Sequence, residues 1–202
     1  MMKLCRDFYE KTALQLAQDL LGKIFVKNSD GKKISCRIVE AEAYMGIEDK
    51  AAHSYQGKRT KRTEVMYGKP GLLYVYLVYG MYYCANIVAA KPDVPQAVLI
   101  RAAEPLEGKD EMAIRRFNKP YTELTARQKI YLTNGPGKFC IALDIDKTAN
   151  GKDLCLDNIF IEEDGYKPEI VVSKRIGINY AEEAIDFPYR FYIKGNKYVS
   201  VQ

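Results

Sequence analysis

A glutamate set among small residues is the first candidate for chemistry in this sequence of 202 residues. Glu42 lies between Ala41 and Ala43 in the stretch VEAEAY, where the residue pattern predicts a largely buried strand. Buried carboxylates are rare unless they are paired or functional, and small neighbours leave space for a water or a substrate. Glu40 shares the same predicted face and is the rival candidate. The structural alternative is a carboxylate at the sheet edge that pairs with an arginine or a lysine.

The only histidine, His53, has no cysteine or second histidine near it in the sequence. It therefore lacks the partner that a nucleophilic pair or a metal site needs. The five cysteines are scattered and form no CxxC pair, so we expect no metal site. A single histidine is most often a structural hydrogen-bonding residue, and a hydrogen bond from His53 to a ligand stays open as an alternative.

Tyrosines dominate the stretch LLYVYLVYGMYYCANI at 72–87. Tyr74 and Tyr76 share one face of a predicted strand, and Tyr79 lies near the turn of a predicted hairpin. Packing explains most aromatic residues on a sheet. It does not explain an aromatic residue at an exposed hairpin tip, which suits stacking on bases or insertion between base pairs.

Two polar residues interrupt predicted strands that are otherwise apolar. Asn86 lies in the strand that follows the hairpin turn, and its amide needs hydrogen-bond partners there. Arg101 lies in AVLIRAAEP and is expected to pair with a buried acid or to bind an anion such as phosphate.

Residues 55–64 (YQGKRTKRTE) form a predicted surface loop that is rich in positive charge. Its four cations are Lys58, Arg59, Lys61 and Arg62. The whole chain carries 31 Lys and Arg against 26 Asp and Glu, a net charge of +5. So mild an excess favours an anionic partner without requiring one, and a loop that is merely solvated is the alternative.

The elements around these residues predict a single α+β domain over residues 1–202, with a protruding hairpin. The predicted strands are 23–26, 34–44, 72–78, 82–90, 97–103, 191–193 and 198–201. The predicted helices are 13–21, 109–117, 123–132 and a short one that ends near Leu143. No apolar run reaches the roughly 18 residues of a membrane span. Phosphate-loop, dinucleotide-binding and GxSxG motifs are absent from the sequence.

Five stretches together resemble one known family over nearly the whole chain. The long ones are 37–54, 69–87 and 98–108, and the weaker ones are 134–143 and 190–201. They closely resemble the alkyladenine (3-methyladenine) DNA glycosylase family, in the mammalian-type branch that also occurs in bacteria. The resemblance implies a mixed, mostly antiparallel curved sheet with surrounding helices.

The resemblance also implies a role for individual residues. Glu42 matches the general base that activates water, and Arg101 matches a residue that helps to hold this water and the flipped nucleotide. Tyr79 matches the residue inserted into the duplex where the damaged nucleotide leaves. Met66 and Leu99 match lesser contacts at the DNA surface and in the pocket.

The pocket for the extruded base is implied by four further matches. Tyr44, His53 and Tyr76 match its walls, with the two tyrosines on opposite faces of the base. Asn86 matches the residue near the minor-groove edge of the purine that screens against a guanine amino group. The cations of the loop at 55–64 are expected to contact DNA.

The implied activity is that of a monofunctional DNA glycosylase. It would flip alkylated or deaminated purines out of duplex DNA and hydrolyse the N-glycosidic bond, which leaves an abasic site. No lysine lies next to Glu42 in the matched segment, so water rather than an amine is the expected nucleophile. The expected partner is double-stranded DNA with damaged purines, bound by a monomer without metal or organic cofactor.

Two alternative functions also fit parts of the sequence, and the sequence predicts a location in the cell. A non-catalytic nucleic-acid-binding module would keep the tyrosines and the basic loop but would not need Glu42. An enzyme acting on RNA or free nucleotides would not need Tyr79 as a wedge. The odd number of cysteines and the absence of a signal-like start predict reduced thiols in the cytoplasm, at the bacterial nucleoid.

Overall fold

The computed structural model describes residues 2–29 and 31–201, and within them nine strands form one sheet. The strands are β1 (Met2–Lys3), β2 (Ile24–Ser29), β3 (Lys32–Tyr44), β4 (Leu73–Val78), β5 (Tyr82–Ala89), β6 (Gln96–Glu107), β7 (Ile159–Glu163), β8 (Ile170–Ser173) and β9 (Arg190–Ile193). Seven of them follow the order β1-β7-β2-β3-β6-β5-β4, while β9 joins β3 to β8. Each of these pairings is antiparallel, which accords with the α+β class predicted from the sequence.

Helices and single turns fill the connections between strands. The α-helices are α1 (Arg6–Tyr9), α2 (Ala13–Leu20), α3 (Lys109–Phe117), α4 (Ala126–Ile130) and α5 (Pro136–Ala142). Short 3-10 turns occupy Gly46–Glu48, Tyr55–Gly57, Glu64–Tyr67, Tyr121–Glu123, Lys147–Ala149 and Glu182–Asp186. No helix among the described residues combines the length and apolar character that crossing a membrane requires.

Strand β3 is the centre of the sheet because it has a neighbour on each side along most of its length. Its first half pairs with β2, and its second half pairs with β9 at residues 40–42. Strand β6 runs along the other side from Ser35 to Tyr44. Two register shifts around Glu40 mark a bulge in this pairing. Bulges re-aim neighbouring side chains, and this one lies beside the carboxylates that the sequence singles out.

The main core packs helices against the sheet around β3. Helix α2 begins with a capping box between Thr12 and Gln15, and it buries Leu16 and Leu20 completely. Helix α5 places Phe139 against Phe25 of β2, with ring centres 5.2 Å apart in an edge-to-face arrangement. This packing makes β3 a rigid support for the side chains that it carries.

Strands β4 and β5 form the protruding hairpin that the sequence predicts. Its base is buried, whereas Tyr79 and Met81 at the tip are 84% and 68% exposed. Tyr79 has φ of +52°, a left-handed conformation that is uncommon for a residue with a side chain. Gly80, with φ of +68°, follows it and completes the turn.

Other predicted bounds differ from the structure. Strand β6 continues to Glu107 instead of ending at 103, and the predicted helix at 123–132 is reduced to the five residues of α4. The strand predicted at 198–201 is wrong, because this segment has no strand partner. The backbone N–H of Ser200 instead donates to Glu40 at 2.7 Å. This hydrogen bond to a distant side chain takes the place of the strand-to-strand hydrogen bond that the local pattern predicts.

Candidate active site

Glu42 lies in the part of β3 that is paired on both sides, and its side chain is completely buried. Its Oε1 accepts a hydrogen bond from the backbone N–H of Ile176 at 2.8 Å and lies 3.3 Å from Nη1 of Arg101. Its Oε2 accepts from the Tyr44 hydroxyl at 3.0 Å. Three donors therefore fix one carboxylate, and all three belong to residues that line an open cleft.

Glu40 has a different environment although it lies two residues earlier on the same strand. It pairs with Nη1 of Arg190 at 2.9 Å and with Nε of Arg101 at 3.2 Å. Ser200 donates both its backbone N–H, at 2.7 Å, and its hydroxyl, at 3.0 Å, to Glu40. Four protein donors thus occupy the oxygens of Glu40, so the rival carboxylate is a structural anchor.

Burial and hydrogen bonding have opposite effects on the pKa of Glu42. Burial raises the pKa of the Glu42 carboxyl, because a low-dielectric surrounding disfavours the charged form. The Arg101 guanidinium, the Ile176 amide and the Tyr44 hydroxyl all act to lower that pKa but do not fully offset burial. The pKa of Tyr44 is raised well above its ordinary value by burial and the nearby Glu42, so its hydroxyl remains a donor.

A narrow pocket is connected to this carboxylate through Tyr44, which both bonds Glu42 and lines the pocket. Its lining consists of Tyr44, Ala51, His53, Met66, Tyr74, Tyr76, Asn86, Ala97 and Tyr180. The pocket opens into a wider cleft that shares Tyr44, His53 and Tyr76 with it and adds Leu99 and Arg101. All five residues that the sequence assigns to the base pocket thus line the pocket or its cleft.

His53 is held edge-on against the aromatic wall. Its Nδ1 lies 2.9 Å from the Tyr74 hydroxyl, and its ring centre lies 4.5 Å from that of Tyr76 at 77°. Burial, aided by the charge of Arg62, lowers the pKa of His53 to about 4. The imidazole is therefore neutral near pH 7, with one nitrogen that donates and one that accepts.

Asn86 is fixed at the pocket wall by its own hairpin. Its Nδ2 donates to the backbone oxygen of Tyr74 across the β4–β5 pair at 3.1 Å. This bond satisfies a polar group that is 3% exposed, as the sequence pattern requires.

Met66 does not lie at the surface, where the sequence comparison places it. Its side chain is 2% exposed, lines the pocket, and packs in a small apolar cluster with Tyr74 and Val88. The 3-10 turn that carries Met66 points its apolar side inward. A residue so buried cannot contact the DNA backbone, so its place is in the pocket.

Tyr79 lies at the junction of two concave surfaces. It lines the cleft that leads to the pocket, and it also lines a neighbouring groove that shares Val78, Cys84 and Pro136 with this cleft. That groove includes Arg116, Lys138 and Pro136. The exposed ring therefore projects from a ridge between two cavities that are open to solvent.

The four cations of the loop at 55–64 have different surroundings. Arg59 pairs with Glu64 at 2.7 Å and with Asp93 at 2.8 Å. Arg62 lies over the ring of Tyr76. Lys58 and Lys61 are exposed, and no carboxylate among the described residues pairs with them. They are therefore the two cations most available to an anionic partner.

Comparison with known proteins identifies the family. The profile of the methylpurine-DNA glycosylase family matches residues 7–197, which is most of the chain.

The chain belongs to the methylpurine-DNA glycosylase family.

Relatives at high identity agree with this membership. A protein of Desulfitobacterium hafniense (strain Y51) is 56% identical over 203 residues and covers 100% of both chains. A protein of Alkaliphilus oremlandii (strain OhILAs) is 56% identical over 200 residues, covering 98% of this chain and 99% of its own. Both carry the name "Putative 3-methyladenine DNA glycosylase". The chain is thus a DNA glycosylase, a hydrolase of DNA repair whose substrate is DNA with damaged bases.

The glycosylase site also uses residues that the sequence did not single out. Arg175 is buried and pairs with both oxygens of Asp49 at 2.6 and 2.8 Å. It also donates to the backbone oxygen of Ala43 at 2.9 Å and lies over the Tyr44 ring at 4.9 Å. Its chain neighbour, Ile176, provides the amide that holds Glu42.

Sequence signals for these residues were weak. A backbone N–H leaves no trace in residue type, so Ile176 had none. Asp49 lies inside the stretch 37–54 that resembles the family, which is a signal for it. Tyr180, which is 66% exposed and lines the pocket, could have been flagged as an aromatic residue in a polar segment. The described residues contain no group of three or more His, Cys, Asp or Glu arranged to hold a metal.

Proposed function

We propose that the protein extrudes a damaged purine from duplex DNA and hydrolyses its N-glycosidic bond at Glu42, which leaves an abasic site. The observation that carries this proposal is a buried carboxylate held by three donors, one of which, Tyr44, also lines an aromatic pocket. The relatives are named for 3-methyladenine, so a methylated adenine is the first substrate to test.

In the proposed step, ionised Glu42 accepts a proton from water while the water oxygen forms a bond to C1′ of the sugar. The C1′–N bond breaks, and its electron pair leaves with the purine. The transition state has sugar-cation character, so the negative charge of Glu42 also stabilises it. Arg101 lines the cleft and bonds Glu42, a position that suits holding the water and the nucleotide.

We propose that Tyr44 and Tyr76 stack on the extruded base, with His53 at its edge. All three side chains line both the pocket and the cleft. Aromatic faces attract a positively charged purine by about 0.5–2 kcal/mol more than a neutral one. A methylated purine carries that charge in the nucleotide and departs as a neutral base, which makes it a good leaving group.

Tyr79 is proposed as the wedge that fills the space left by the extruded nucleotide. Its ring has no core to enter and projects from a ridge beside the cleft. Extrusion costs a few kcal/mol, and an inserted aromatic ring offsets part of the lost stacking. Leu99 is proposed as an apolar contact of the pocket entrance, and Asn86 as the residue that screens the minor-groove edge of the base.

Water is the proposed nucleophile, and one chain is the proposed functional unit. The residues that bond Glu42 are an arginine, a tyrosine and a backbone amide, none of which offers a free amine. The whole candidate site comes from a single chain, which supports action as a monomer. We propose that the protein works at chromosomal DNA in the cell.

The decisive test replaces Glu42 by glutamine. The substitution keeps the shape of the side chain and removes the charge, so Glu42→Gln should bind lesion DNA and release its base at least about 10²-fold more slowly. The measurement is single-turnover base release from methylated duplex DNA. Glu48→Gln is the matched control, because Glu48 is exposed on the same segment.

Three outcomes would contradict parts of this proposal. Release by Glu42→Gln at the wild-type rate would remove Glu42 as the base, and Glu40 would be tested next. Lesion binding without base release by the wild-type protein would indicate a binding module. Insensitivity of the reaction to Tyr79 substitution would favour an enzyme that acts on RNA or free nucleotides.

A further inference from the structure

An arginine of the basic loop covers one aromatic wall of the pocket. The guanidinium carbon of Arg62 lies 5.0 Å from the centre of the Tyr76 ring. Its Nη2 lies 3.5 Å from Nε2 of His53, and Arg62 lines the cleft together with these two residues. A positive charge therefore already stands at the pocket entrance.

This charge is not neutralised by the protein. Arg59, three residues earlier, has two carboxylate partners, whereas Arg62 pairs with no carboxylate among the described residues. The side chain of Arg62 is exposed, so solvent and salt weaken the effect of its charge, but its contacts with Tyr76 and His53 hold it at short range from the pocket. Its effect on His53 shows that the charge is felt inside the pocket, because it helps to lower the pKa of that imidazole.

We propose that Arg62 is a specificity-determining residue that reduces the preference of the pocket for cationic over neutral damaged purines. It does so by staying over Tyr76 while the base is bound. The proposal rests on the role of Tyr76 as a wall of the base pocket.

The Arg62 guanidinium and a cationic base in the pocket would carry like charges at short range. A methylated purine nucleotide carries a positive charge on its ring, whereas hypoxanthine is neutral. Stacking on Tyr76 brings the cationic ring close to the guanidinium, and the two compete for the same aromatic surface. Neutral hypoxanthine meets no such repulsion and can stack beside the planar guanidinium. Arg62 therefore weakens binding of the cationic lesion selectively.

The test compares two lesions in the same duplex sequence, one with 7-methylguanine and one with hypoxanthine. Single-turnover base release is measured for the wild type, Arg62→Gln and Lys61→Gln. The quantity of interest is the ratio of the rate for 7-methylguanine to that for hypoxanthine, because a general loss of DNA affinity cancels in it. Lys61→Gln is the matched control, since it removes the same charge from an exposed neighbour without a ring contact.

Arg62→Gln should raise this ratio about threefold to tenfold relative to Lys61→Gln. Arg62→Lys keeps the charge but not the planar group, and its ratio should lie closer to that of the wild type. An unchanged ratio in Arg62→Gln would mean that Arg62 leaves the ring when DNA binds. A lower ratio would mean that it assists cationic lesions. Either result overturns the proposal.

A binding measurement replaces the rate measurement if the wild type releases one of the two bases too slowly for its rate to be determined. In the Glu42→Gln background, Arg62→Gln should tighten binding of the 7-methylguanine duplex relative to the hypoxanthine duplex by a similar factor. Equal changes for both duplexes would also overturn the proposal. Failure of the wild type to release either base would instead contradict the proposed function, so the two failures are distinguishable.

Discussion

Two carboxylates on one strand show how the donors around a residue decide what it can do. Glu40 receives four protein donors and is held between Arg101 and Arg190. Glu42 receives three donors, and burial still raises its pKa. A carboxylate whose proton affinity is raised is a better base than one saturated by arginines. Residue type alone could not separate these two roles.

The pH dependence of base release should report the ionisation of Glu42. The base is active only when ionised, so the rate should fall as pH drops through the raised pKa of Glu42. His53 has a pKa of about 4, which is below the raised pKa of Glu42. Its imidazole is therefore already neutral in the pH range where Glu42 ionises, and it does not change the rate there. Hypoxanthine in duplex DNA is a suitable substrate, because its spontaneous release is slow.

Tyr44→Phe provides the directional check on that assignment. The Tyr44 hydroxyl stabilises the ionised carboxylate and so lowers its pKa. Without this donor the acid limb of the rate profile should move to higher pH, while the aromatic face is retained. A limb that stays in place or moves to lower pH would show that another group controls it.

At the scale of elements, the β4–β5 hairpin joins the pocket to the duplex. Its buried base carries Tyr74 and Asn86, and its exposed tip carries Tyr79 in a left-handed conformation. Because one hairpin carries both parts, it sets the distance between Tyr79, the proposed wedge, and the pocket.

Tyr79→Ala should impair extrusion more than chemistry. Removing the ring should lower the fraction of lesion nucleotides that are extruded from the duplex. Base release from paired hypoxanthine should then slow by about tenfold. The loss should be smaller on mispaired hypoxanthine, because less unstacking is needed there. Single-turnover release on both duplexes measures this difference, and Tyr79→Phe should retain most of the rate. Equal losses on the two duplexes would contradict the wedge role.

The segment that precedes β9 holds the Glu42 carboxylate in place. Arg175 is tied to Asp49, and its neighbour Ile176 bonds Glu42. Breaking a buried ion pair on one side costs about 3–5 kcal/mol, so Arg175→Met should be strongly destabilised. Arg175→Lys keeps one charge contact and should recover part of this loss in chemical denaturation.

Activity separates positioning from stability in these variants. At a temperature where circular dichroism shows Arg175→Lys to be folded, its base release should still be slower than that of the wild type. The reason is that a lysine cannot hold both oxygens of Asp49 and fix the Ile176 amide as the forked guanidinium does. A rate that simply follows the folded fraction would indicate a purely structural role.

Most elements could be predicted from local pattern, and the exceptions have physical causes. Strand β3, the hairpin and helix α3 follow alternation or helical spacing that the sequence shows directly. Strands β1 and β8 have only two and four residues, too few for a period to emerge. The segment 198–201 has alternating residues but serves as a donor to Glu40, which only the tertiary fold reveals.

At the scale of the whole molecule, charge is distributed unevenly around a modest net excess. Lysine and arginine exceed the acidic residues by five, yet many cations are already paired in surface bridges. Affinity for DNA therefore depends on where the cations without a carboxylate partner lie and not on the net charge alone.

The salt dependence of DNA binding should identify these cations. Each phosphate contact contributes roughly 0.9 to the slope of log affinity against log salt. Lys58→Gln with Lys61→Gln should reduce the slope for undamaged duplex by about 1–2. Arg59→Gln should reduce it less, because Glu64 and Asp93 already neutralise Arg59. An unchanged slope in the double variant would leave the loop as a solvated surface.

The sequence predicted which residues belong to the site but not how they are assembled. Family resemblance assigned Glu42, Arg101 and the pocket tyrosines, and these do come together. Glu42 and Ile176, which are in contact, are 134 positions apart in the sequence. Glu40 and Ser200 are 160 positions apart. No local pattern encodes such pairs, because they depend on how the whole sheet closes.

The bonds from residues 190 and 200 to Glu40 have a consequence for synthesis on the ribosome. A nascent chain that has been made as far as residue 180 already contains Glu42, Tyr79 and the residues that line the pocket. It still lacks Arg190 and Ser200, so Glu40 and Glu42 share the single cation Arg101. Like charges so placed disfavour the folded site. A fragment that stops before Arg190 therefore leaves these two carboxylates to repel each other, and its folded site should be less stable than that of the whole chain.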